Sequence, residues 1–181
     1  MNNNVLEKIE ICKNKKLLYL DLSKMGLNEI PKELKDLPWL ERLSISNNNI
    51  EDISILQYLP NLHKLAFSNN RIEDLSPLLT NKRLKFLFMK NNLVKDISPL
   101  CKLKTLKKIE ANNNKISNIG IIEELKENLV FLDFENNNLK NAKNIQSLSN
   151  LRWLNLKGNG ISKDEIKSIK EALKHLRFFI Y

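Results

Sequence analysis

The chain has 181 residues, of which 42% are hydrophobic, and it carries a net charge of +9. This length fits one domain with a sizeable core. The apolar content excludes wholesale disorder in spite of the many Asn and Lys residues, and with only four Gly and five Pro most of the chain is expected to form regular structure.

The two cysteines, Cys12 and Cys101, are far apart and lie in no metal-binding or redox spacing, so both are predicted to be free thiols. The first ten residues lack the apolar core of a signal peptide, and no apolar run reaches the length of a membrane span. We therefore expect a cytoplasmic protein with no disulfide framework and no membrane span.

At the amino terminus, Val5, Leu6, Ile9 and Cys12 recur at the spacing of one helical face. The rest of the chain carries a repeated pattern that predicts a stack of coils, and the two apolar ends of such a stack need to be covered. Residues 1–16 are therefore predicted to form an N-terminal cap that contains this helix.

Residues 17–161 repeat the pattern L-x-x-L-x-L-x-x-N-x-L seven times, with successive copies 22 or 23 residues apart. The first positions of the copies are Leu17, Leu40, Leu62, Leu84, Leu106, Leu129 and Leu151. Apolar residues at positions four and six fit a short strand that buries one face. Since one strand per repeat cannot form a hairpin, each strand is expected to lie parallel beside the previous one in a right-handed coil.

Position nine is asparagine in every copy except the first, which has Met25. The six asparagines are Asn48, Asn70, Asn92, Asn114, Asn137 and Asn159. An amide carries two donor hydrogens and one acceptor oxygen, so a buried asparagine can satisfy backbone groups where the chain turns off each strand. We predict a stacked structural ladder rather than a ligand or glycan site.

The second half of each repeat carries apolar residues three apart, as in Ile50, Ile53 and Leu56. This period favours 3-10 or tight helical segments, and Ser76-Pro77 resembles the start of one. The predicted fold class is an α/β solenoid in the shape of an arc. It has a parallel sheet on the concave side and short helical or 3-10 segments on the convex side.

Residues 162–181 are expected to cap the other end of the stack. Ser162 and Glu165 fit a capping box, with a hydroxyl at the N-cap and a carboxylate three residues later. A helical stripe follows, after which Phe179 and Tyr181 fit positions four and six of an eighth, terminal strand. With both ends covered, the sequence is expected to form a complete domain.

The segments Ile72–Leu78 (IEDLSPL) and Val94–Leu100 (VKDISPL) resemble the 22-residue leucine-rich repeats of internalins. They are also similar to those of the protein phosphatase-1 regulatory subunit type. The first copy, Leu20–Leu43, resembles the repeats that precede the GTPase domain in Roco proteins. The resemblance covers roughly Leu17–Tyr181 and implies a leucine-rich-repeat horseshoe, a fold that serves many different partners. Internalins carry secretion signals and surface anchors, which this sequence does not show.

Function is expected to lie in positions two, three, five and seven of each strand, because these side chains point out of the concave sheet. Position three places Phe86, Lys108, Phe131 and Trp153 on consecutive strands, in one row. Exposed aromatic patches usually mark an interface, although these rings could also pack only on one another and on lysine stems. The predicted protein-binding residues are Phe86, Phe88, Phe131, Trp153, Lys64, Lys85, Lys90 and Lys108.

The segment Lys82–Lys108 holds nine basic residues and one acid, and so carries +8 of the net +9 charge. Its bases are expected to cluster on one flank of the coil. Attraction to an acidic protein, binding to nucleic acid or an anionic membrane surface, and simple solubility are three interpretations. Because lysine outnumbers arginine and phosphate readers favour arginine, specific nucleic-acid recognition is disfavoured.

No catalytic, metal or cofactor site is predicted, because His63 and His175 lack partners at ligand spacing and no glycine-rich phosphate loop is found. Asp133 and Glu135 are interpreted as solvated surface charges. The predicted function is a non-enzymatic, monomeric scaffold that binds a protein on its concave face. Nucleic-acid or anionic-surface binding through Lys82–Lys108, and a repeat domain of a larger signalling or effector protein, remain as alternatives.

Overall fold

The computed structural model describes residues 3–181 and begins with a helix, α1 (Asn3–Asn14). Eight short strands follow: β1 (Tyr19–Asp21), β2 (Arg42–Ser44), β3 (Lys64–Ala66), β4 (Phe86–Phe88), β5 (Lys108–Glu110), β6 (Phe131–Asp133), β7 (Trp153–Asn155) and β8 (Phe178–Ile180). The first six connections contain the 3-10 helices Lys32–Asp36, Ser54–Tyr58, Ser76–Thr80, Ser98–Lys102, Gly120–Leu125 and Lys143–Ser147. The seventh connection contains the second α-helix, α2 (Lys163–Ala172).

All eight strands form one parallel sheet in which the strands follow one another in sequence order. The register advances by one whole repeat from strand to strand, so that Phe86 pairs with Lys108 and Lys108 pairs with Phe131. Parallel neighbours require a crossover connection, and the 3-10 helices lie in these crossovers. The predicted solenoid, with a parallel concave sheet and short 3-10 or helical convex segments, is confirmed.

The apolar core lies between the sheet and the returning segments. In the fourth repeat, for example, Leu84, Leu87 and Met89 at positions one, four and six are fully buried. They pack within one continuous apolar cluster that also contains Val94 and Leu100 from the return of the same coil. Each such side chain contributes about 1.5–3 kcal/mol when buried, so the core is built from the repeat positions that the sequence pattern marks.

Leu17 departs from this pattern, because its side chain is 41% exposed although it occupies position one of the first repeat. In internal repeats this position is covered by coils on both sides. Before Leu17, however, α1 ends at Asn14, and a turn with φ of 49° at Lys16 leads directly into the first coil. The carbonyl of Leu17 accepts a hydrogen bond from Trp39 Nε1 at 3.3 Å. Leu17 therefore stays outside the core, whereas the position-one residues of the six later repeats are fully buried.

Each position-nine asparagine joins its own coil to the coil before it. The amide of Asn114 donates to the carbonyls of Ala111 and Met89, both at 3.0 Å, and its Oδ1 accepts the N–H of Val94 at 3.1 Å. The same three contacts recur at Asn48, Asn70, Asn92, Asn137 and Asn159. One side chain thus satisfies three backbone groups that the turn would otherwise leave unpaired.

A second asparagine ladder, at position eight, is not predicted from the sequence. Its members are Asn47, Asn69, Asn91, Asn113 and Asn136, and each later amide donates to the side-chain oxygen of the member before it. All have φ between 52° and 58°, a left-handed conformation that asparagine adopts more readily than most residues. Gly158 takes this position in the seventh coil at φ 71°, and a Cβ there would lie 2.0 Å from Asn136 Oδ1. Glycine at this step therefore leaves room for the end of the Asn136 side chain, which would have to move if a Cβ were present.

Helix α2 begins after Ser162, whose hydroxyl accepts the N–H of Glu165 at 3.2 Å. The second half of the predicted capping box is different, because the carboxylate of Glu165 accepts the N–H of Ala142 on the preceding coil rather than that of Ser162. The first turn of α2 is therefore fastened to its neighbour in the stack. His175 lies beyond the end of α2 at Ala172.

Strand β8 is the last strand of the sheet among residues 3–181 and is less buried than the strands before it. Phe179, at position four, is only partly buried, and Tyr181, at position six, is 56% exposed. Within residues 3–181 the sheet has no further strand beyond β8, so these positions are covered on one side only. The expected core position of Tyr181 is therefore wrong, and its ring lies against that of Phe179 with centroids 5.0 Å apart.

Replacing Asn114 by alanine is expected to lower the free energy of unfolding by about 2–5 kcal/mol, because a buried N–H and two carbonyls lose their partner together. Urea denaturation followed by circular dichroism measures the change. Asn138→Ala, at an exposed asparagine one position after Asn137, the ladder residue of the next coil, is the matched control and is expected to change stability by less than about 0.5 kcal/mol. Equal effects of the two substitutions would contradict the structural role of Asn114.

Candidate functional site

The concave face carries a run of aromatic rings across its C-terminal half. Phe131 and Trp153 stack in parallel, with ring centroids 5.2 Å apart and an interplanar angle of 7°. Trp153 also contacts Phe178 on β8, with centroids 4.8 Å apart. The three residues are register partners on adjacent strands, so the short spacing between parallel strands is what brings their rings together.

Lysine ammonium groups extend this run toward the middle of the sheet. Lys108 Nζ lies 3.9 Å from the ring centroid of Phe131 and 5.1 Å from that of Phe88. Lys64 Nζ lies 5.2 Å from the ring of Phe88 on the other side. These distances are within the range of cation–π attraction. The rings and lysines therefore form one connected strip from β3 to β8, which we call the aromatic strip; its residues are Lys64, Phe88, Lys108, Phe131, Trp153 and Phe178.

Basic residues follow the strip along the edge of the sheet where the strands begin, which we call the leading edge. Position two holds Lys85, Lys107, Arg152 and Arg177, which immediately precede β4, β5, β7 and β8. Backbone hydrogen bonds fix them in register: the N–H of Lys107 donates to the carbonyl of Lys85, and that of Arg177 to Arg152, both at 2.9 Å. Of these four, only Lys85 is predicted as a site residue. The other three could have been found from the sequence, because they are basic and share position two of the repeat with Lys85.

Carboxylates lie on the opposite side of the strip, at positions five and seven. They are Glu110, Asp133 and Glu135, all half-buried. Burial raises the pKa of the Asp133 carboxyl above its ordinary value of 3.8, and the charges of Glu135 and Glu110 raise it further, whereas the N–H of Glu135 and the charge of Lys108 act in the opposite direction. Asp133 is thus not the fully solvated surface charge that the sequence indicates.

Two neighbours partly balance these carboxylates. Lys108 Nζ lies 3.6 Å from Glu110 Oε1, and the amide of Asn155 donates to Glu135 at 3.1 Å. Asn155 itself is only 5% exposed, although position five was expected to point out of the sheet. The strip is therefore bordered by positive charge on its leading edge and by negative charge on the other side.

The predicted binding residues are only partly brought together. Phe88, Phe131, Trp153, Lys64 and Lys108 belong to the aromatic strip. Phe86 precedes Lys108 and Phe131 in the position-three row and is 38% exposed. Lys85 lies on the leading edge, and Lys90 lies past the end of β4 beside a concave depression that Ser46, Ala66 and Phe88 also line. Phe178 completes the strip and is the aromatic residue that the predicted set omits.

The nine basic residues of Lys82–Lys108 do not gather on one flank as expected. Lys95 pairs with Glu73 at 3.4 Å and Lys104 with Glu124 at 2.6 Å, each on a neighbouring coil. Lys85 and Lys90 lie before and after β4, on different edges of the sheet. Charge in this segment is therefore spread around the coil, because successive bases fall on different repeat positions.

Within residues 3–181, no group of three or more His, Cys, Asp or Glu side chains is arranged to hold a metal ion. His63 Nδ1 lies 3.8 Å from Glu41 Oε2 on the preceding coil. Cys12 and Cys101 are free, and burial raises the pKa of the Cys12 thiol. In the part of the chain that the structure describes, no helix is both long and apolar enough to cross a membrane.

Comparison with protein-family models gives matches to the repeat itself. A model described as Leucine Rich repeats (2 copies) matches residues 38–81, and one described as Leucine Rich Repeat matches residues 150–176. Both matches fall on the coils whose strands and ladders are described above. The chain is a leucine-rich-repeat protein. A search of curated protein sequences gives no significant match to it.

Solved structures share the leucine-rich-repeat fold. An internalin from Listeria monocytogenes matches with a TM-score of 0.86 and 24% identity over 95% of this chain and 50% of its own. A leucine-rich-repeat protein from Leptospira interrogans matches with a TM-score of 0.86 and 27% identity, over 94% of this chain and 44% of its own. A plant peptide hormone receptor, solved in complex with RGF2, matches with a TM-score of 0.69 and 27% identity, over 83% of this chain and 26% of its own. The chain thus spans half the length of this internalin and less of the other two.

Because the pKa of Asp133 is raised in the folded chain, the free energy of unfolding depends on pH. The folded chain holds this proton more tightly than the unfolded chain, so the free energy of unfolding falls as the pH rises through the raised pKa. Asp133→Asn keeps an oxygen that can accept the N–H of Glu135 and removes the charge. The variant is therefore expected to be more stable than the wild type at neutral pH and equally stable at about pH 3, in urea denaturation across this range.

Asp74→Asn is the matched control, because Asp74 forms the same kind of turn, to the N–H of Ser76, at an exposed site on the convex side. It makes the same chemical change away from Glu110 and Glu135, so at each pH it measures the effect of replacing the turn carboxylate by an amide. A stabilisation by Asp133→Asn that persists unchanged at about pH 3 would contradict the electrostatic cause.

Proposed function

We propose that this protein is a non-enzymatic scaffold that binds a partner protein on its concave face. The observation that carries the proposal is the aromatic strip, in which Phe88, Phe131, Trp153 and Phe178 lie on the side of the sheet away from the core. Phe178 is 56% exposed, and Phe86 beside the strip is 38% exposed. Several large rings of this chain are in contact with water, and a partner that covers them lowers the free energy of the complex.

Packing among the rings offsets only part of this exposure. Stacked and tilted pairs of this kind contribute about 0.5–1.5 kcal/mol each beyond their burial, so the contacts of Trp153 hold the strip in one arrangement. An arrangement that is already ordered loses little side-chain freedom when a partner binds. Aromatic residues that lie together with charged residues on both sides, as in the aromatic strip, are typical of the residues that carry binding energy in protein interfaces.

The charges around the strip indicate how a partner would be oriented. Lys64, Lys85, Lys90 and Lys108 are the basic residues proposed to surround the anchor, and an acidic partner surface would be attracted to them. Glu110, Asp133 and Glu135 would repel that surface from the other side of the strip. The plant receptor that shares this fold is solved in complex with RGF2, which supports a binding role for the fold without identifying a partner for this chain.

The double substitution Phe86→Ala and Trp153→Ala is expected to weaken partner binding by more than about tenfold, since truncated anchor residues each cost about 2 kcal/mol or more. Affinity capture from source lysate by the wild type, followed by calorimetric titration of the partner obtained, measures the loss. The melting temperature is expected to fall by only a few degrees, because Trp153 gives up its ring contacts while the core is untouched.

Tyr58→Ala is the matched control, because Tyr58 is an aromatic residue of comparable exposure, 45%, in a 3-10 helix on the convex side. It is expected to leave the affinity unchanged. Partners that bind the double variant as tightly as the wild type would rule out the aromatic strip as the binding site.

A further inference from the structure

An open depression of about 500 Å³ lies on the concave face beside the N-terminal end of the aromatic strip. It forms where the side chains are small, because position five is Ala66 on β3, whereas the next strand has Phe88 there. Two serines at position seven, Ser46 and Ser68, line it as well. Lys64 and Phe88 belong both to this depression and to the aromatic strip, so the two surfaces are continuous.

Polar side chains at position seven pair with position five of the next coil where both residues are polar. The hydroxyl of Ser23 pairs with that of Ser44 at 2.6 Å. In the sixth coil, the carboxylate of Glu135 accepts the amide of Asn155 at 3.1 Å in the same relative positions. A position-seven side chain of this sheet therefore finds its hydrogen-bond partner on the strand that follows.

The hydroxyls of Ser46 and Ser68 lack such a partner. The residues that face them at position five of the next coil are Ala66 and Phe88, which carry no hydrogen-bonding group. Ser46 is 9% exposed and Ser68 is 7% exposed, and within residues 3–181 neither hydroxyl forms a hydrogen bond. Buried polar groups are normally paired, so these two hydroxyls in the lining of one depression indicate a ligand that accepts hydrogen bonds.

The charge around the hydroxyls is positive. The ammonium groups of Lys24, Lys64 and Lys90 border the depression, and all three side chains are exposed. None of the three forms an ion pair within the described residues. The lining also contains the carboxylate of Glu110, which Lys108 Nζ approaches to 3.6 Å. With three lysines and one glutamate, the lining itself has a net charge of +2.

A phosphate monoester has the chemistry that matches this lining. At neutral pH it carries a charge of about −1.5 to −2 and three terminal oxygens that accept strong hydrogen bonds. The two serine hydroxyls and the ammonium groups supply a donor for each oxygen, and hydrogen bonds to a charged group are the stronger kind. A carboxylate has only two oxygens and a single charge, so it would leave part of this lining unsatisfied.

The surroundings favour one phosphate on a protein over a polynucleotide or a membrane. On the strands that follow, positions five and seven hold Glu110, Asp133 and Glu135, which would repel the next phosphates of a nucleic-acid strand along this face. The bases are lysines, whereas phosphate readers favour arginine. A flat membrane surface would meet the rim of a concave face before it reached the buried hydroxyls. A phosphorylated side chain can reach them.

We propose that this depression binds the phosphate group of a phosphorylated side chain in the partner protein. The hydroxyls of Ser46 and Ser68 donate to the phosphate oxygens, and the three lysines of the lining balance the charge. The segment that carries the phosphate continues onto the aromatic strip, which adjoins the depression. The inference rests on the proposed function, because it names a chemical group of the protein that the concave face receives, but the phosphate site can be tested without that protein.

The probe is a blocked tripeptide with phosphoserine between two glycines, titrated into the whole isotope-labelled protein at low ionic strength and followed by two-dimensional NMR. We expect saturable binding with a Kd on the order of 1 mM or tighter. The shifts are expected to centre on the amides of Ser46, Ser68 and their neighbours. The unphosphorylated tripeptide is expected to cause no shift, and a glutamate tripeptide is expected to bind at least about fivefold more weakly, because it has less charge and fewer oxygens.

The double substitution Ser46→Ala and Ser68→Ala tests the hydroxyls without changing the charge. Affinity for the phosphopeptide is expected to fall at least about fivefold, since two hydrogen bonds to a charged group are lost. Thermal denaturation is expected to show a variant at least as stable as the wild type, because no hydrogen bond within the chain is removed. Ser117→Ala, at an exposed serine outside the depression, is the matched control and is expected to bind as the wild type does.

The double substitution Lys24→Glu and Lys90→Glu tests the charge. It is expected to weaken phosphopeptide binding by at least about tenfold, because two attractions become repulsions. Lys115→Glu with Lys140→Glu makes the same change in net charge at two exposed lysines outside the depression. This control is expected to lose less than about twofold, since exposed charges at a distance are screened. Thermal denaturation checks that both variants are folded.

Several outcomes would overturn the inference. They are a phosphopeptide that causes no shift at about 10 mM, equal binding of the glutamate tripeptide, and an unchanged affinity of the double serine variant. Shifts that fall on Phe131 and Trp153 instead of the lining would also contradict it. Anionic vesicles or a single-stranded oligonucleotide that bind more tightly than the phosphopeptide, and are released by Lys24→Glu with Lys90→Glu, would assign the depression to a membrane or a nucleic acid.

The phosphate site and the concave-face proposal can fail separately. The variant Phe86→Ala and Trp153→Ala keeps every residue that lines the depression and is expected to bind the phosphopeptide as the wild type does. A captured partner that binds this variant normally would remove the aromatic strip as its site and leave the phosphopeptide result intact. A partner that needs the strip, yet binds equally tightly before and after phosphatase treatment, would contradict the phosphate inference alone.

Discussion

The whole structure depends on one recurring hydrogen-bonding constraint: each turn that leaves a strand buries backbone groups that must be paired from the side. A single asparagine amide meets this demand, because Asn114 and its equivalents each satisfy one N–H and two carbonyls. Two of these three partners, the N–H of Val94 and the carbonyl of Met89, belong to the preceding coil. They are within reach of the Asn114 side chain only when consecutive coils keep the same spacing. The ladder therefore sets the spacing of the coils, and the apolar positions stabilise an arrangement that the amides define.

The concave face follows from the same spacing. Residues that share a repeat position become register partners, so Phe131, Trp153 and Phe178 meet although more than twenty residues separate each from the next in sequence. Their contacts, and those of Lys108 with the rings on either side, are consequences of the coil period rather than of local sequence. The side chains on this face are free to serve binding because the core uses only the alternate positions.

Most of the fold could be predicted from the sequence because the repeat period determines which residues face inward, as for Leu84, Leu87 and Met89. The errors lie at the two ends of residues 3–181, where the repeat pattern is present but the described chain has a coil on one side only: Leu17 and Tyr181 occupy positions that are buried in the internal coils, and both are exposed. Glu165 likewise follows a local capping pattern, yet its carboxylate pairs with Ala142 on the coil beside it. A local motif does not reveal a competing partner that only the stacking provides.

The polar side chains of the turns and of the candidate site were less predictable than the apolar core, for two physical reasons. Runs of adjacent asparagines do not show which residue turns inward and which adopts a left-handed backbone, so the ladder of Asn47 and its equivalents was missed. The environment of Asp133 depends on its depth and on Glu110 and Glu135, one of which comes from a different coil. The row of aromatic residues was recoverable because it required only the repeat period.

The stacked arrangement also fixes the width of the concave face in equal steps. Neighbouring strands in a parallel sheet are about 4.8 Å apart, and each coil contributes one such step whatever its own side chains are. Adding or removing a single internal coil would therefore lengthen or shorten the concave face in fixed increments, while every remaining ladder asparagine still met an identical neighbour. Such a molecule can adjust the size of what it recognises without rebuilding its interior.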